Sequence, residues 1–114
     1  MIKRQYRQGE SFSWVLRNKI NGTVVDLEEG FSMSVGFFNS SGKTLYIAST
    51  SDGTIRRLDQ GIYLLPVGHK DSENMIGKVN VEFTKFDADG NIVKHSVKPE
   101  LLTFEPRNIN RHIN

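Results

Sequence analysis

The sequence predicts an all-β domain, a sandwich of about seven to nine short antiparallel strands. Apolar residues alternate with a period of two in segment after segment. Turn residues punctuate the chain at short intervals. No stretch keeps a helical period over several turns, so alternation is the governing pattern.

One of the firmest strands is Ser11-Phe12-Ser13-Trp14-Val15-Leu16-Arg17. Phe12, Trp14 and Leu16 share a face, whereas a helix would set Phe12 and Trp14 nearly opposite each other. Asn21-Gly22 then supplies a tight turn, since both residues tolerate positive φ. Phe31, Met33, Val35 and Phe37 alternate in what reads as a central strand, and Asn39-Ser40-Ser41-Gly42-Lys43 turns the chain. In the next strand Leu45, Ile47 and Ser49 alternate with Tyr46 and Ala48.

Thr54-Ile55-Arg56-Arg57-Leu58 reads as a charged edge strand, charge being a guard against stray pairing. Gly61-Ile62-Tyr63-Leu64-Leu65 follows, and Pro66 is expected to end or bulge its strand because it cannot donate to a ladder. Residues 68–73 form the most polar loop and are expected to be the most mobile. Val79, Val81 and Phe83 face inward in the clearest late strand. Asp87-Ala88-Asp89-Gly90-Asn91 turns it back into Ile92–Val97, and Leu101, Thr103 and Phe104 form a last strand. The expected domain spans residues 1–104, with a polar tail over 105–114.

With 114 residues the chain suits one domain and can bury roughly two-thirds of its unfolded surface. It contains no cysteine, which excludes disulfides, thiolate metal sites and cysteine nucleophiles. The 15 Lys and Arg against 13 Asp and Glu leave a net charge of +2. The basic groups, Lys3-Arg4 with Arg7, Arg56-Arg57, and Arg107 with Arg111, are short and scattered, which weighs against nucleic acid. The charged start has no apolar core of a signal peptide, and no apolar run has the length of a membrane span. Synthesis in the cytoplasm is the expectation.

Motifs of chemistry are incomplete. Asp87-Ala88-Asp89-Gly90-Asn91 begins like a calcium loop but lacks the later oxygen ligands, and its residues are ordinary turn formers. Gly42-Lys43-Thr44 lacks the upstream glycine of a phosphate loop. His69, His95 and His112 lie far apart in the sequence, and no serine sits in a nucleophile elbow. No catalytic centre, cofactor or metal is expected. Aromatics mostly fall on core faces; Phe38 breaks the alternation beside Phe37, so Phe38 and Tyr46 are expected on the opposite face as contact residues.

The order of these features carries a resemblance. Phe12-Ser13-Trp14-Val15-Leu16, the Gly22 turn with Val25-Asp26-Leu27, the Phe31–Phe37 strand, Ser51-Asp52-Gly53, Gly61-Ile62-Tyr63-Leu64 and Gly77-Lys78-Val79-Asn80-Val81-Glu82 follow one another. This resembles the immunoglobulin-like modules of tailed-phage structural proteins, especially the N-terminal domain of baseplate upper proteins. The resemblance implies an immunoglobulin-like β-sandwich and a structural role in a virion or prophage. Partners would be other protein subunits or further copies of the chain, with Phe38, Tyr46, Arg56, Arg57, Arg107 and Arg111 as expected contact residues. A carbohydrate- or cell-surface-binding module is the alternative.

Overall fold

The computed structural model describes residues 3–96 and 100–106. Its strands are β1 (Gln5–Arg7), β2 (Phe12–Arg17), β3 (Lys19–Ile20), β4 (Thr23–Val24), β5 (Ser32–Asn39) and β6 (Thr44–Ser49). They continue with β7 (Arg56–Asp59), β8 (Ile62–Val67), β9 (Gly77–Phe86), β10 (Ile92–His95) and β11 (Glu100–Glu105). One helical turn, α1 (His69–Ser72), lies between β8 and β9. The all-β sandwich is therefore present, built from more and shorter strands than the turn spacing predicts.

One sheet has the order β1-β11-β9-β5-β6, with β10 also paired to β9. The facing sheet has the order β2-β8-β7. The β3–β4 hairpin stands apart and is closed by Asn21 at φ 52° and Gly22 at φ 79°. Positive φ at both central residues is the geometry that matches strand twist in a two-residue turn. The pairings among the main strands are antiparallel except β1 with β11, which is parallel.

Period two places the core as expected. Trp14 on one sheet meets Phe37 on the other at 5.6 Å and Phe83 at 6.3 Å between ring centroids. Val35, Phe37, Leu65, Val79, Val81, Leu102 and Phe104 are fully buried around them. In β11 the inward residues are Leu102 and Phe104, so Leu101 and Thr103 lie on the other side of the pleat from the core. Tyr6 is buried as well, although its segment reads as polar; its ring stacks on Phe104 at 5.3 Å. Its hydroxyl oxygen accepts the indole N–H of Trp14 at 3.0 Å.

Two local expectations need correction. β8 continues through Pro66 to Val67. The Asn18 N–H donates to Gly61 O across β2 and β8, and the register pairs Ser13 with Pro66. Hydrogen-bonded pairs alternate in an antiparallel ladder, so Pro66 falls at a non-bonded pair. Its missing N–H would face β7, and β7 pairs only as far as Leu64. The polar loop after β8 is tied down rather than loose: Ser72 is fully buried and its hydroxyl donates to Glu10 O at 2.9 Å. Met75 beside it is also fully buried. At the end of β11 Glu105 pairs with Arg7, and residues 107–114 of the expected tail lie outside the described residues.

Among the described residues no buried side-chain nitrogen or oxygen lacks a partner. Tyr6→Phe removes the acceptor of the buried Trp14 N–H, and an orphaned buried donor costs about 1–3 kcal/mol. Urea unfolding of Tyr6→Phe should show that loss with an unchanged slope.

Candidate interaction surface

In a sandwich, the places left for recognition are sheet edges and outer faces. An exposed edge invites pairing with another chain unless it is short, charged, bulged or covered. β7 is fully exposed and carries Arg56, Arg57 and Asp59 among its four residues. The Arg57 Nε–H donates to Asp26 Oδ1 at 3.0 Å, and the Gly61 N–H donates to the same oxygen at 2.7 Å. Arg57 thus clasps the β4–β8 corner, whereas Arg56 has no ion pair among the described residues.

β6 is capped. The Ser49 N–H donates to Thr54 Oγ1 at 2.8 Å and Ser49 O accepts the Ile55 N–H at 2.9 Å. At its other end Phe37 pairs with Tyr46 but Phe38 with Thr44, so Leu45 is an extra residue that bulges the strand. β1 is only three residues long, and β10 is broken by a register shift between Ile92 and Lys94.

β2 differs from all of these. It pairs with β8 through all six of its residues and has no strand on its other side among the described residues. The alternation fixed by Asn18 and Gly61 aims the N–H and C=O of Ser13, Val15 and Arg17 away from β8. The same three side chains are exposed, and two of them are uncharged. Two hollows border this edge, of about 390 and 500 Å³, and both are lined by Val15 and Arg17.

The outer face of the larger sheet holds Phe38. Its ring lies over Gly36, where a Cβ would come within 2.6 Å of the ring carbons. Phe38 is half-buried and pairs across strands with Asn80. Tyr46 is not beside it. Tyr46 pairs with buried Phe37, and their rings are 5.9 Å apart on the inner side of the sheet. The Leu45 bulge is what turns Tyr46 inward. Burial raises its phenol pKa, with Asp71 and Asp52 adding to the shift. Of the expected contact residues, Tyr46 and Arg56 line one hollow of about 260 Å³, Arg57 is exposed on β7, Phe38 lies apart on the outer face of the larger sheet, and Arg107 and Arg111 lie outside the described residues.

A polar row escaped the sequence analysis. His95 Nε2 is 3.0 Å from Glu82 Oε1, and His95 Nδ1 is 2.7 Å from Thr84 Oγ1. Carboxylate, imidazole and hydroxyl follow in the order of a hydrolytic relay. The row lies on an open sheet face, and Thr84 is paired to Ser34 on one side and His95 on the other. Its strand backbone therefore supplies no converging free N–H groups to hold a developing oxyanion. At Asp87, one carboxylate oxygen accepts the N–H of Asp89 and Asn91, both at 2.9 Å, which is the work of a turn. No cluster of metal-ligating side chains occurs among the described residues, and no helix among them is long and apolar enough to cross a membrane.

Comparison with protein-family models, curated proteins and solved structures finds no match.

The Asp26 clasp has a pH signature. The Arg57 hydrogen bond, then the Gly61 N–H, hold the Asp26 carboxyl below the usual aspartate range. A lowered folded-state pKa gives stability that is full above the unfolded value of about 4 and is lost as pH falls through the folded value. Thermal unfolding followed from neutral to acid pH should therefore show a drop below about pH 4 that is smaller in Asp26→Asn.

Proposed function

We propose that this chain is a non-enzymatic structural or assembly module, belonging to a phage or prophage tail or baseplate, that works through protein–protein contacts at strand edges and termini. The free edge of β2 carries this reading. Among the described residues the other edges are short, charged, bulged or capped, and β2 keeps its outward backbone groups open beside two hollows. Such an edge is the ordinary docking element for strand addition. The resemblance of the Trp14 strand, the Asp26-Leu27 connection and the Gly61-x-Tyr63 strand to immunoglobulin-like tail modules supports the virion setting. The exposed, donor-poor setting of the Glu82–His95–Thr84 row supports a role without catalysis.

Size-exclusion chromatography with light scattering tests the reading on the full chain and on a chain truncated after Pro106. Truncation must fall there because β11 supplies Leu102 and Phe104 to the core. Self-association, or binding to the products of neighbouring genes, is the expected result. A monomer that binds none of them removes the reading.

A carbohydrate- or surface-binding module has one observation in its favour. Phe38 offers a ring on an outer face beside the polar Asn80, and sugar sites pair apolar faces with a few placed polar groups. Under this reading the parent chain binds on a glycan array and Phe38→Ala abolishes the signal. Silence from the parent chain ends it.

A further inference from the structure

The reading above leaves the kind of partner open, and the surroundings of β2 narrow it. The hollow of about 390 Å³ lies between β2 and the ends of β5, β9 and β10. Leu16, Met33, Val35 and Phe83 line it with apolar surface. Arg17, Lys19, Lys85 and Lys94 also line it, and no Asp or Glu does. Lys85 is spoken for by Glu28, at 2.9 Å. Arg17, Lys19 and Lys94 have no ion pair among the described residues.

We infer that the free edge of β2 receives an extended acidic segment of a partner protein as an added strand, its apolar side chains entering the hollow and its carboxylates meeting Arg17, Lys19 and Lys94. This rests on the assembly reading and names the partner's chemistry. Three features converge on it. The outward N–H and C=O groups of Ser13, Val15 and Arg17 ask for a peptide backbone. The pleat puts alternate residues of an added strand over the apolar lining, so the segment alternates apolar and acidic residues. Three cations without an ion pair among the described residues, in a hollow whose lining contains no Asp or Glu, select against a basic strand. By that charge rule a segment composed like residues 107–114, with Arg107 and Arg111 and no acidic residue, is a poor match for this edge. A nucleic acid would meet the charges but has no use for the open backbone or the apolar lining.

The test uses the full chain and a fluorescein-labelled octapeptide alternating Glu and Val. Its controls are the corresponding Lys–Val peptide and a single-stranded oligothymidylate. Fluorescence anisotropy should show binding of the acidic peptide that weakens with added salt. Amide exchange by NMR should show new protection at Ser13, Val15 and Arg17. The double variant Arg17→Glu, Lys94→Glu should weaken binding by about tenfold or more, since it replaces attraction with repulsion at two points. Val15→Pro removes one outward N–H without touching the β8 ladder, and should weaken binding too; if it fails to fold, the charge variant decides. Failure of the acidic peptide to bind, equal binding of the Lys–Val peptide or the oligothymidylate, or an unaffected charge variant each overturns the inference. Protection at another strand edge overturns it while leaving the assembly reading in place, as does self-association by light scattering without peptide binding.

Discussion

Trp14 is the constraint on which the two sheets depend. Its ring spans the interface to Phe37 and Phe83, and its one polar atom must be satisfied there. A buried indole N–H has a single donor and no acceptor. Tyr6 provides the partner, which obliges the N-terminal segment to return to the core instead of trailing in water. Once Tyr6 is inside, its ring stacks on Phe104 and lies 4.2 Å from Phe12, so one hydrogen bond binds β1, β2 and β11 into one cluster.

The same cluster decides which edge remains open. β1 belongs to the larger sheet and β2 to the smaller, and the chain crosses between them over Gln8–Ser11. The crossing is pinned on the helical turn by Ser72 and Glu10. β1 therefore covers β11 and not β2. Edge protection is spent on β6 and β7, where the loop of Asp52 to Ile55 folds back and the arginines gather. The selective openness of β2 is a property of how the strands are shared between sheets.

Much of the fold was legible because burial on one face imposes period two. The segments 11–17, 31–37 and 78–84, the Asn21-Gly22 turn, the Asp87–Asn91 turn and the charged edge at Arg56-Arg57 stand, to within a residue or two at their ends, where alternation and turn chemistry place them. The misses come from single-residue effects that alternation does not register. The Leu45 bulge reverses the facing of Tyr46 relative to a simple extrapolation from Phe38. Between Ile92 and Lys94 another shift brings His95 opposite Thr84; without it, Lys94 would sit there and the Glu82–His95–Thr84 row would not form. Tyr6 was hidden because its neighbours Gln5 and Arg7 are polar, which is how a short edge strand with one buried residue reads. The open edge at Ser13 and Val15 was beyond reach, since it depends on no other strand among the described residues pairing there.

The β1–β11 pair also has a temporal side. Gln5 pairs with Thr103, so β1 is synthesised long before the strand it pairs with. Loop-closure entropy makes such distant pairings slow. Until β11 emerges, Tyr6 has no Phe104 to stack on and the β9 edge that β11 will occupy stands bare. The nascent domain therefore passes through a stage in which the β9 edge, covered in the finished molecule, is open to whatever strand reaches it first.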